Sequence, residues 1–247
     1  MSALAHYLEE NGVPAVAISL IRLHTEKVRP PRALWVPFEL GRPIGPPRNE
    51  PFQIRVITSA LRLLEAGTGP VVLEDFPEDD PTAVDIAGWK PAFDLTLGEI
   101  DVANRAALEL ALRQEVRAIA PFHARFVASN GRTMIGLSGR GVEDCAMALA
   151  AFLTGAPSAG SDPAVSPVQA LRWAVDDLKA YYLEAMSADG VIPSSRQMQT
   201  WFWDRTVLAR AIIALRRQLL ASEDQRSQAI GRMNLMPGAQ VQRLGLS

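Results

Sequence analysis

The hydrophobic positions of the first 77 residues alternate between helical spacing and short continuous apolar runs. A helix is predicted from Ser2 to the Asn11-Gly12 pair, because both residues of that pair tolerate the left-handed backbone that ends helices. The further elements predicted here are strands at 15–21, 33–38 and 71–73 and, behind Pro51, a helix at 51–64. The order α-β-β-α-β favours an α/β fold with a small parallel or mixed sheet and helical cover.

Helical patterns dominate the rest of the chain. Helices are predicted at about 98–119, 142–153, 166–187 and 195–222, followed by a polar tail. Residues Thr133 to Leu137 form a fourth strand candidate. The segment GAPSAGSDPAVSP, at 155–167, is poor in bulky residues and is typical of a flexible connector. The sequence therefore predicts an α/β domain over residues 1–155 and a mostly helical C-terminal region over 156–247.

The first helix and the strand after it form only half of an α/β unit. A strand normally precedes such a pair, whereas here the helix stands at the start of the sequence. We therefore expect the strand at 15–21 to lack one neighbour. Unpaired strand edges recruit partners, so a second protein chain is expected to supply that neighbour.

Composition places the chain among ordinary folded proteins. Hydrophobic residues make up 48% and charged residues 21% of its 247 residues, which excludes disorder over most of the length. The 25 Lys and Arg nearly balance the 27 Asp and Glu, so the net charge of −2 provides no overall attraction for nucleic acid. No apolar run approaches the roughly 20 residues of a membrane span, and no secretory signal is visible. We expect a cytoplasmic protein without nucleic-acid or membrane partners.

The chain has a single cysteine, Cys145. One cysteine excludes an internal disulfide, a CxxC redox pair and a thiolate zinc cluster. Glu143 and Asp144 precede it in an apolar helical pattern, and neighbouring carboxylates raise the pKa of a thiol. Cys145 is therefore interpreted as a core residue rather than a nucleophile.

Ionisable residues follow the first two predicted strands, where parallel α/β sheets usually bind ligands. The segment after the first strand offers a proton-transfer group, a carboxylate and guanidinium groups that bind anions bidentately. The loop after the second strand adds Gly41 and Gly45, which permit close backbone approach to a ligand. The predicted substrate-binding residues are His24, Glu26, Arg29, Arg32, Glu39 and Arg42. The alternative is a pair of solvated, proline-stiffened loops without a ligand.

Three further features each allow a structural and a functional interpretation. The turn Gly136–Gly141 could present backbone N–H groups to an anion, but it lacks the lysine of a P-loop. His123 has no acid or nucleophile nearby in the sequence, which favours a structural role. Aromatic residues on the last two long helices predict a ligand pocket, a subunit interface or a helix–helix core. These are Trp173, Tyr181, Tyr182, Trp201, Phe202 and Trp203.

Three stretches, LAHYLEENGVPAVAIS, PPRALWVPFELGRPIGPP and PVVLEDFP, resemble the glycine/sarcosine/betaine and D-proline reductase selenoprotein B family. The resemblance covers about residues 3–77, and the helical carboxyl third resembles uncharacterised bacterial relatives of that family. It implies an α/β scaffold with the loops His24–Arg32 and Glu39–Gly45 near the substrate. In that family a cysteine or selenocysteine just before the first helix takes part in reductive cleavage of a C–N bond. No residue of this sequence matches that position.

Two functional hypotheses result. The first is a reductase-like subunit of a larger enzyme, an oxidoreductase of the reductive C–N cleavage type, which acts on a small amino-acid-like substrate. A partner chain would supply its missing strand and its reactive thiol or selenol. The alternative is a non-catalytic small-molecule-binding or assembly protein that kept the scaffold without the chemistry. Both predict a homo-oligomer or a partner subunit.

The sequence assigns neither a catalytic residue nor a cofactor. Metal-assisted hydrolysis by His24, Glu26 and Glu39 is the weakest alternative, because their spacing matches no metal-binding signature. No metal site is therefore predicted.

Overall fold

The structure, a computed structural model, describes residues 2–66, 71–95, 98, 100–155, 165–190 and 193–246. The chain forms two compact units, Met1–Val84 and Asp85–Ser247. The domain boundary expected at 155/156 falls inside the second unit, because the helices on either side of it pack against each other. The connector expected there lies mostly outside the described residues, at 156–164.

The first unit is built on a three-stranded parallel sheet, which confirms the predicted α/β fold. Its strands, in spatial order, are β1 (Ala17–Ser19), β2 (Arg32–Trp35) and β3 (Val72–Asp75). Ala17 pairs with Ala33, and Arg32 pairs with Val72. Because β2 is central, β1 and β3 each pair on one side only within the described residues.

Three helices connect and cover these strands. They are α1 (Ser2–Glu10), α2 (Arg22–Val28) and α3 (Glu50–Arg62), with a 3₁₀ turn at Leu63–Glu65 behind α3. α1 ends at the expected Asn11-Gly12 turn. α3 contains the predicted Pro51 in its first turn, and the Asn49 side chain caps it by accepting a hydrogen bond from the N–H of Phe52 at 3.3 Å.

α2 corrects the sequence interpretation, because the polar composition of residues 22–32 had suggested a loop. Thr25 is buried, and its hydroxyl donates to the carbonyl of Ile21 at 3.0 Å. The helix ends at Arg29, whose backbone is left-handed with a φ of 50°. Parallel strands require a crossover connection, which is usually helical, so the pairing of β1 with β2 favours a helix that local composition does not announce.

Phe38, Phe52 and Phe76 form the centre of the first unit's core. Their ring centroids lie 5.5 to 5.9 Å apart, in the tilted and edge-to-face arrangements that aromatic pairs favour. Gly45 packs directly on this cluster, since its φ is 87° and a Cβ would overlap the Phe52 ring. The sequence suggested that Gly45 lets the backbone approach a ligand. In the structure, the missing Cβ instead leaves room for the Phe52 ring.

The second unit is helical, with no strand among its described residues. Its helices are α4 (Arg105–Asn130), α5 (Val142–Leu153), α6 (Pro167–Met186), α7 (Ser195–Arg205), α8 (Val207–Leu220), α9 (Gln225–Met233) and α10 (Gly238–Arg243). α5 and α6 confirm their predictions. α4 begins later and runs further than the predicted helix at 98–119, and the strand predicted from Thr133 to Leu137 does not form.

Thr206 divides the predicted helix at 195–222 into α7 and α8. Its backbone is extended (φ −118°, ψ 146°), and its hydroxyl accepts a hydrogen bond from the N–H of Ala209 at 3.0 Å. The same hydroxyl donates to the carbonyl of Phe202 at 2.9 Å. Thr206 is thus the N-cap of α8. The predicted polar tail instead folds into α9 and α10.

The aromatic residues of α6 and α7 contribute to the core of the second unit. Tyr182, Phe202 and Trp203 are buried, and successive rings meet edge to face at 5.7 and 5.1 Å. This confirms the helix–helix core interpretation for these three residues. Among the described helices, none combines the length and the apolar character needed to cross a membrane.

Candidate functional site

The carboxyl edge of the parallel sheet carries one ion-pair cluster. The Nε atom of Arg22 lies 3.0 and 3.1 Å from the two carboxylate oxygens of Asp75, and Arg22 also pairs with Glu26. The hydrogen bond that Arg22 donates to Asp75 is the main reason that the pKa of Arg22 is raised above its usual value. Sequence reasoning missed Arg22, since its partner stands 53 residues away at the end of another strand.

α2 divides the predicted site residues between two edges of the sheet. A crossover helix begins near the carboxyl edge and returns to the amino edge, so Arg29, which ends α2, lies far from the Arg22 cluster along the helix. Arg32 begins β2 at the amino edge and forms an ion pair with Glu9. The carboxylate of Glu9 also accepts the N–H of Ala15 at 2.7 Å. Arg32 therefore ties α1 to the sheet.

The other predicted residues are also separated. Arg42 lies 3.7 Å from the buried carboxylate of Asp80, whereas His24 and Glu39 are exposed and make no side-chain hydrogen bond within the described residues. No two of the six predicted side chains form a hydrogen bond or ion pair with each other in the part of the chain that the structure describes. Those residues also contain no group of three or more His, Cys, Asp or Glu side chains suited to a metal ion.

The turn at Gly136–Gly141 does bind an anion, and the anion belongs to the chain itself. The carboxylate of Asp177 accepts the N–H groups of Gly136, Leu137 and Ser138 at 2.9 to 3.0 Å, together with the Ser138 hydroxyl at 2.5 Å. Burial raises the pKa of Asp177, but these hydrogen bonds outweigh it, so that the pKa lies below its usual value. The turn is thereby held to α6.

The Cys145 thiol lies in the core beside this turn. It is fully buried, and its sulfur is 3.3 Å from the hydroxyl oxygen of Ser138. Burial is the main cause of its raised pKa, and the hydrogen bond from Ser138 offsets this only in part. The interpretation of Cys145 as a core residue is confirmed, because a buried thiol with a raised pKa is a poor nucleophile.

His123 has an acidic partner that is distant in the sequence. Its Nε2 atom lies 2.9 Å from Glu184, which stands 61 residues further along the chain on α6. The Glu184 carboxylate also accepts the Thr133 hydroxyl at 2.7 Å and the N–H of Met134 at 2.6 Å. These bonds explain why Thr133 to Leu137 is not a strand, since α6 carboxylates rather than a neighbouring strand accept the N–H groups of Met134, Gly136 and Leu137.

Glu115 is a second buried carboxylate with a structural role. It accepts hydrogen bonds from the Tyr182 hydroxyl at 2.8 Å and from the N–H groups of Val207 and Leu208 at 2.7 and 3.2 Å. Burial raises the pKa of Glu115, and these hydrogen bonds lower it in part. The carboxylate links α4 and α6 to the first turn of α8, where the helix dipole favours negative charge.

A cavity of about 340 Å³ opens in the second unit. It is lined by Met134, Asp176, Lys179, Ala180, Leu183, Glu184, Gln199, Phe202, Trp203 and Pro237. Apolar and aromatic side chains form most of this wall, and a few polar groups converge on it. Such a composition is typical of small-molecule sites. The sequence analysis allowed a ligand pocket at Phe202 and Trp203, but it could not identify the rest of the wall, because the wall joins four separate stretches of the chain.

The resemblance of residues 3–77 to the selenoprotein B family rests on the motifs of the sequence. The α/β architecture that it implies is present in the first unit. The activity that it implies depends on a thiol or selenol, and the one thiol of this chain is buried. The activity therefore stays a prediction. No family model, no curated protein and no solved structure matches the chain.

Proposed function

We propose that this chain is a non-catalytic assembly subunit and that its first unit associates with a second copy of the chain. The supporting observation is the distribution of exposed apolar side chains. Of the sixteen large hydrophobic side chains exposed among the described residues, twelve lie within the 84 residues of the first unit. They are Leu4, Tyr7, Val13, Ile21, Leu23, Val28, Leu40, Ile54, Ile57, Leu61, Val71 and Val84. Exposed apolar side chains mark an interaction site where they share one surface, as three of these residues do on α3.

α3 provides the most regular part of this surface. Ile54, Ile57 and Leu61 are 53%, 40% and 51% exposed and stand three and four residues apart, so they share one face of the helix. A different face, which includes Phe52 and Val56, packs into the core. A helix with a second apolar face is suited to helix–helix contact.

The spacing of these residues favours a second copy as the partner. If two copies of α3 pack antiparallel about a twofold axis beside Ile57, Ile54 of each copy lies opposite Leu61 of the other. Such an interface is self-complementary, as twofold association requires. The open edge of β1 offers a further surface for pairing.

The internal engagement of the reactive groups supports a non-catalytic role. Cys145 is buried, and the carboxylates of Asp177 and Glu184 each accept hydrogen bonds from the chain on both oxygens. Groups held in this way act as structural links between segments. The predicted residues at the sheet edges do not form a joint site either.

The family resemblance gives a second candidate, in which the assembly also contains a thiol- or selenol-bearing chain. That assembly would cleave a C–N bond of a small amino-acid-like molecule reductively, with the partner providing the reacting group. The segments His24–Arg32 and Glu39–Gly45 are the candidate substrate contacts in this case. This candidate requires heteromeric association, whereas the first requires only the purified chain.

Sedimentation velocity of the purified chain tests the proposal. The wild-type chain is expected to sediment above its monomer mass of 26.9 kDa. The double variant Ile54→Glu/Leu61→Glu is expected to be monomeric, because two carboxylates would be buried in the interface. The matched control Leu110→Glu/Met233→Glu alters exposed apolar residues of the second unit and is expected to leave the mass unchanged. A monomeric wild-type chain would overturn the proposal, and association that survives in the α3 double variant would exclude α3 as the interface.

A further inference from the structure

We infer that the cavity of the second unit binds a small uncharged molecule with an aromatic or branched aliphatic body and one hydrogen-bond acceptor. This site lies outside the surfaces used for the proposed assembly, and the inference holds whether or not the chain self-associates. It assigns a ligand class to a cavity for which the sequence offered only the aromatic residues of its wall.

The size and wall of the cavity set the body of the ligand. Its volume of about 340 Å³ is at the lower end of the range for small-molecule sites. Phe202 and Trp203 from α7, Leu183 from α6 and Pro237 provide apolar wall. A ligand of one ring or a compact branched chain fits this space and buries its apolar surface there.

The charged groups of the wall already have partners within the protein. Asp176 lies 2.8 Å from the ammonium group of Lys179 and 3.4 Å from Arg172. Glu184 accepts three hydrogen bonds, from Thr133, Met134 and His123. An anion or a cation would have to displace these bonds or remain unpaired in a mostly apolar space, which carries a large desolvation cost. An uncharged ligand meets neither difficulty.

Gln199 provides the polar recognition. Its carbonyl oxygen accepts the indole N–H of Trp203 at 2.9 Å, which fixes the orientation of the amide. Its Nε2 group makes no hydrogen bond with any residue that the structure describes. This amide therefore has donors available at the cavity wall for a carbonyl, ether or hydroxyl oxygen of the ligand.

Met134 provides a flexible side chain at the exposed edge of the cavity. Its side chain lines the cavity and is 81% exposed, while its backbone N–H is held by Glu184. A flexible, polarisable thioether fits ligands of differing shape. The site thus combines a rigid aromatic wall with one side chain that can pack over a ligand.

Four ligands of similar size separate the possible chemistries: acetophenone, ethylbenzene, benzoate and benzylammonium. Binding to the full chain is measured by saturation-transfer difference NMR and by titration. Acetophenone is expected to bind most tightly, because it alone combines an uncharged body with an acceptor oxygen. Ethylbenzene is expected to bind more weakly, and the two ions are expected not to compete with acetophenone. Equal or tighter binding of either ion would overturn the ligand class, and failure of all four ligands to bind would overturn the site.

Two variants test the location independently. Ala180→Leu fills the cavity from α6 and is expected to abolish acetophenone binding, whereas the matched control Ala128→Leu, on the exposed face of α4, is expected to leave it unchanged. Gln199→Glu keeps an acceptor for Trp203 but removes the amide donor. We expect the affinity for acetophenone to fall roughly tenfold and the affinity for ethylbenzene to change little. Unchanged acetophenone binding in both cavity variants would contradict the inference. The melting temperature of each variant shows whether it is folded.

Discussion

The two units of this protein differ in how many of their apolar residues they bury. Thirty buried residues form one hydrophobic cluster in the second unit, whereas the main cluster of the first unit has eight among the described residues. The first unit also exposes three times as many large apolar side chains, although its sequence is about half as long. A three-stranded sheet with three short helices leaves too little interior for its apolar residues. The first unit is therefore the part of the chain expected to require a partner.

The two units also differ in how their charged side chains connect parts of the chain. The second unit buries Glu115, Asp177 and Glu184, and each carboxylate joins segments distant in sequence. In the first unit the Arg22–Asp75 and Arg55–Glu78 ion pairs lie at the surface, and the buried carboxylate of Asp80 accepts the N–H and the hydroxyl of Thr82, only two residues away. A buried carboxylate that loses its partners destabilises a fold strongly, whereas exposed ion pairs contribute little. This contrast can be tested by substitutions that remove one link at a time.

The largest effect is expected for Glu115→Ala. The change leaves the Tyr182 hydroxyl and the N–H groups of Val207 and Leu208 without an acceptor in the core, at a cost of about 3–5 kcal/mol in the free energy of unfolding. Urea unfolding followed by tryptophan fluorescence measures it, because four of the five tryptophans lie in the second unit. Glu109→Ala, in the same helix but in a surface pair with Arg105, serves as control. An equal decrease in the free energy of unfolding in both variants would refute the role of Glu115.

A smaller, pH-dependent effect is expected for Asp177→Asn. The amide cannot accept all four hydrogen bonds, which costs about 1–3 kcal/mol at pH 7. Because the pKa of Asp177 is lower in the folded chain, its contribution is complete above the usual Asp pKa of about 3.9 and is lost as the pH falls below it. The difference in urea midpoint between wild type and variant should therefore shrink between pH 5 and pH 2, roughly the window in which such an Asp protonates. Asp189→Asn, which alters an exposed carboxylate paired with Arg125, serves as the control at pH 7 and should change the urea midpoint little. A difference for Asp177→Asn that stays constant from pH 5 to pH 2 would contradict the assignment.

The smallest effect is expected for Arg22→Ala in the first unit. Its pair with Asp75 is exposed and screened by solvent, so the urea midpoint should remain within experimental error of wild type. Hydrogen exchange of the β1 and β3 amides measures the local response. Strongly faster exchange across the sheet would show that the surface pairs of the first unit carry as much stability as the buried links of the second, and would remove the contrast between the units.

Local signals predicted the regular elements well. α5 and α6 combine an apolar pattern with clear boundaries, such as the Ser166-Pro167 pair in which Ser166 caps α6 by accepting the N–H of Gln169 at 3.3 Å. α3 and the short strands were likewise visible. The helix α2 and the irregular segment at 133–137 were not, because they depend on strand pairing and on α6 side chains that are distant in sequence. The break at Thr206 was not visible either: its cap is local, but the N–H groups of Val207 and Leu208 that follow it bind Glu115, more than 90 residues away.

The candidate sites were less predictable than the elements. The six residues chosen near the strand ends share a stretch of sequence, but the crossover helix carries part of that stretch to the opposite edge of the sheet. Conversely, His123 and Glu184 meet across 61 residues, and Ser138 and Asp177 across 39. Spacing along the chain shows which groups exist, whereas the topology decides which of them face each other.

The sequence by itself determined the α/β class of the first unit, the helical character of the remainder and the absence of a second cysteine. These properties follow from composition and from periodicities that span a few residues. Only the tertiary structure decided that the anion-binding turn is filled by Asp177, that the aromatic residues of α7 form core and also wall a cavity, and that α3 has an exposed apolar face. Burial and pairing depend on how helices and strands pack against one another, and that packing brings together residues that are far apart in the sequence.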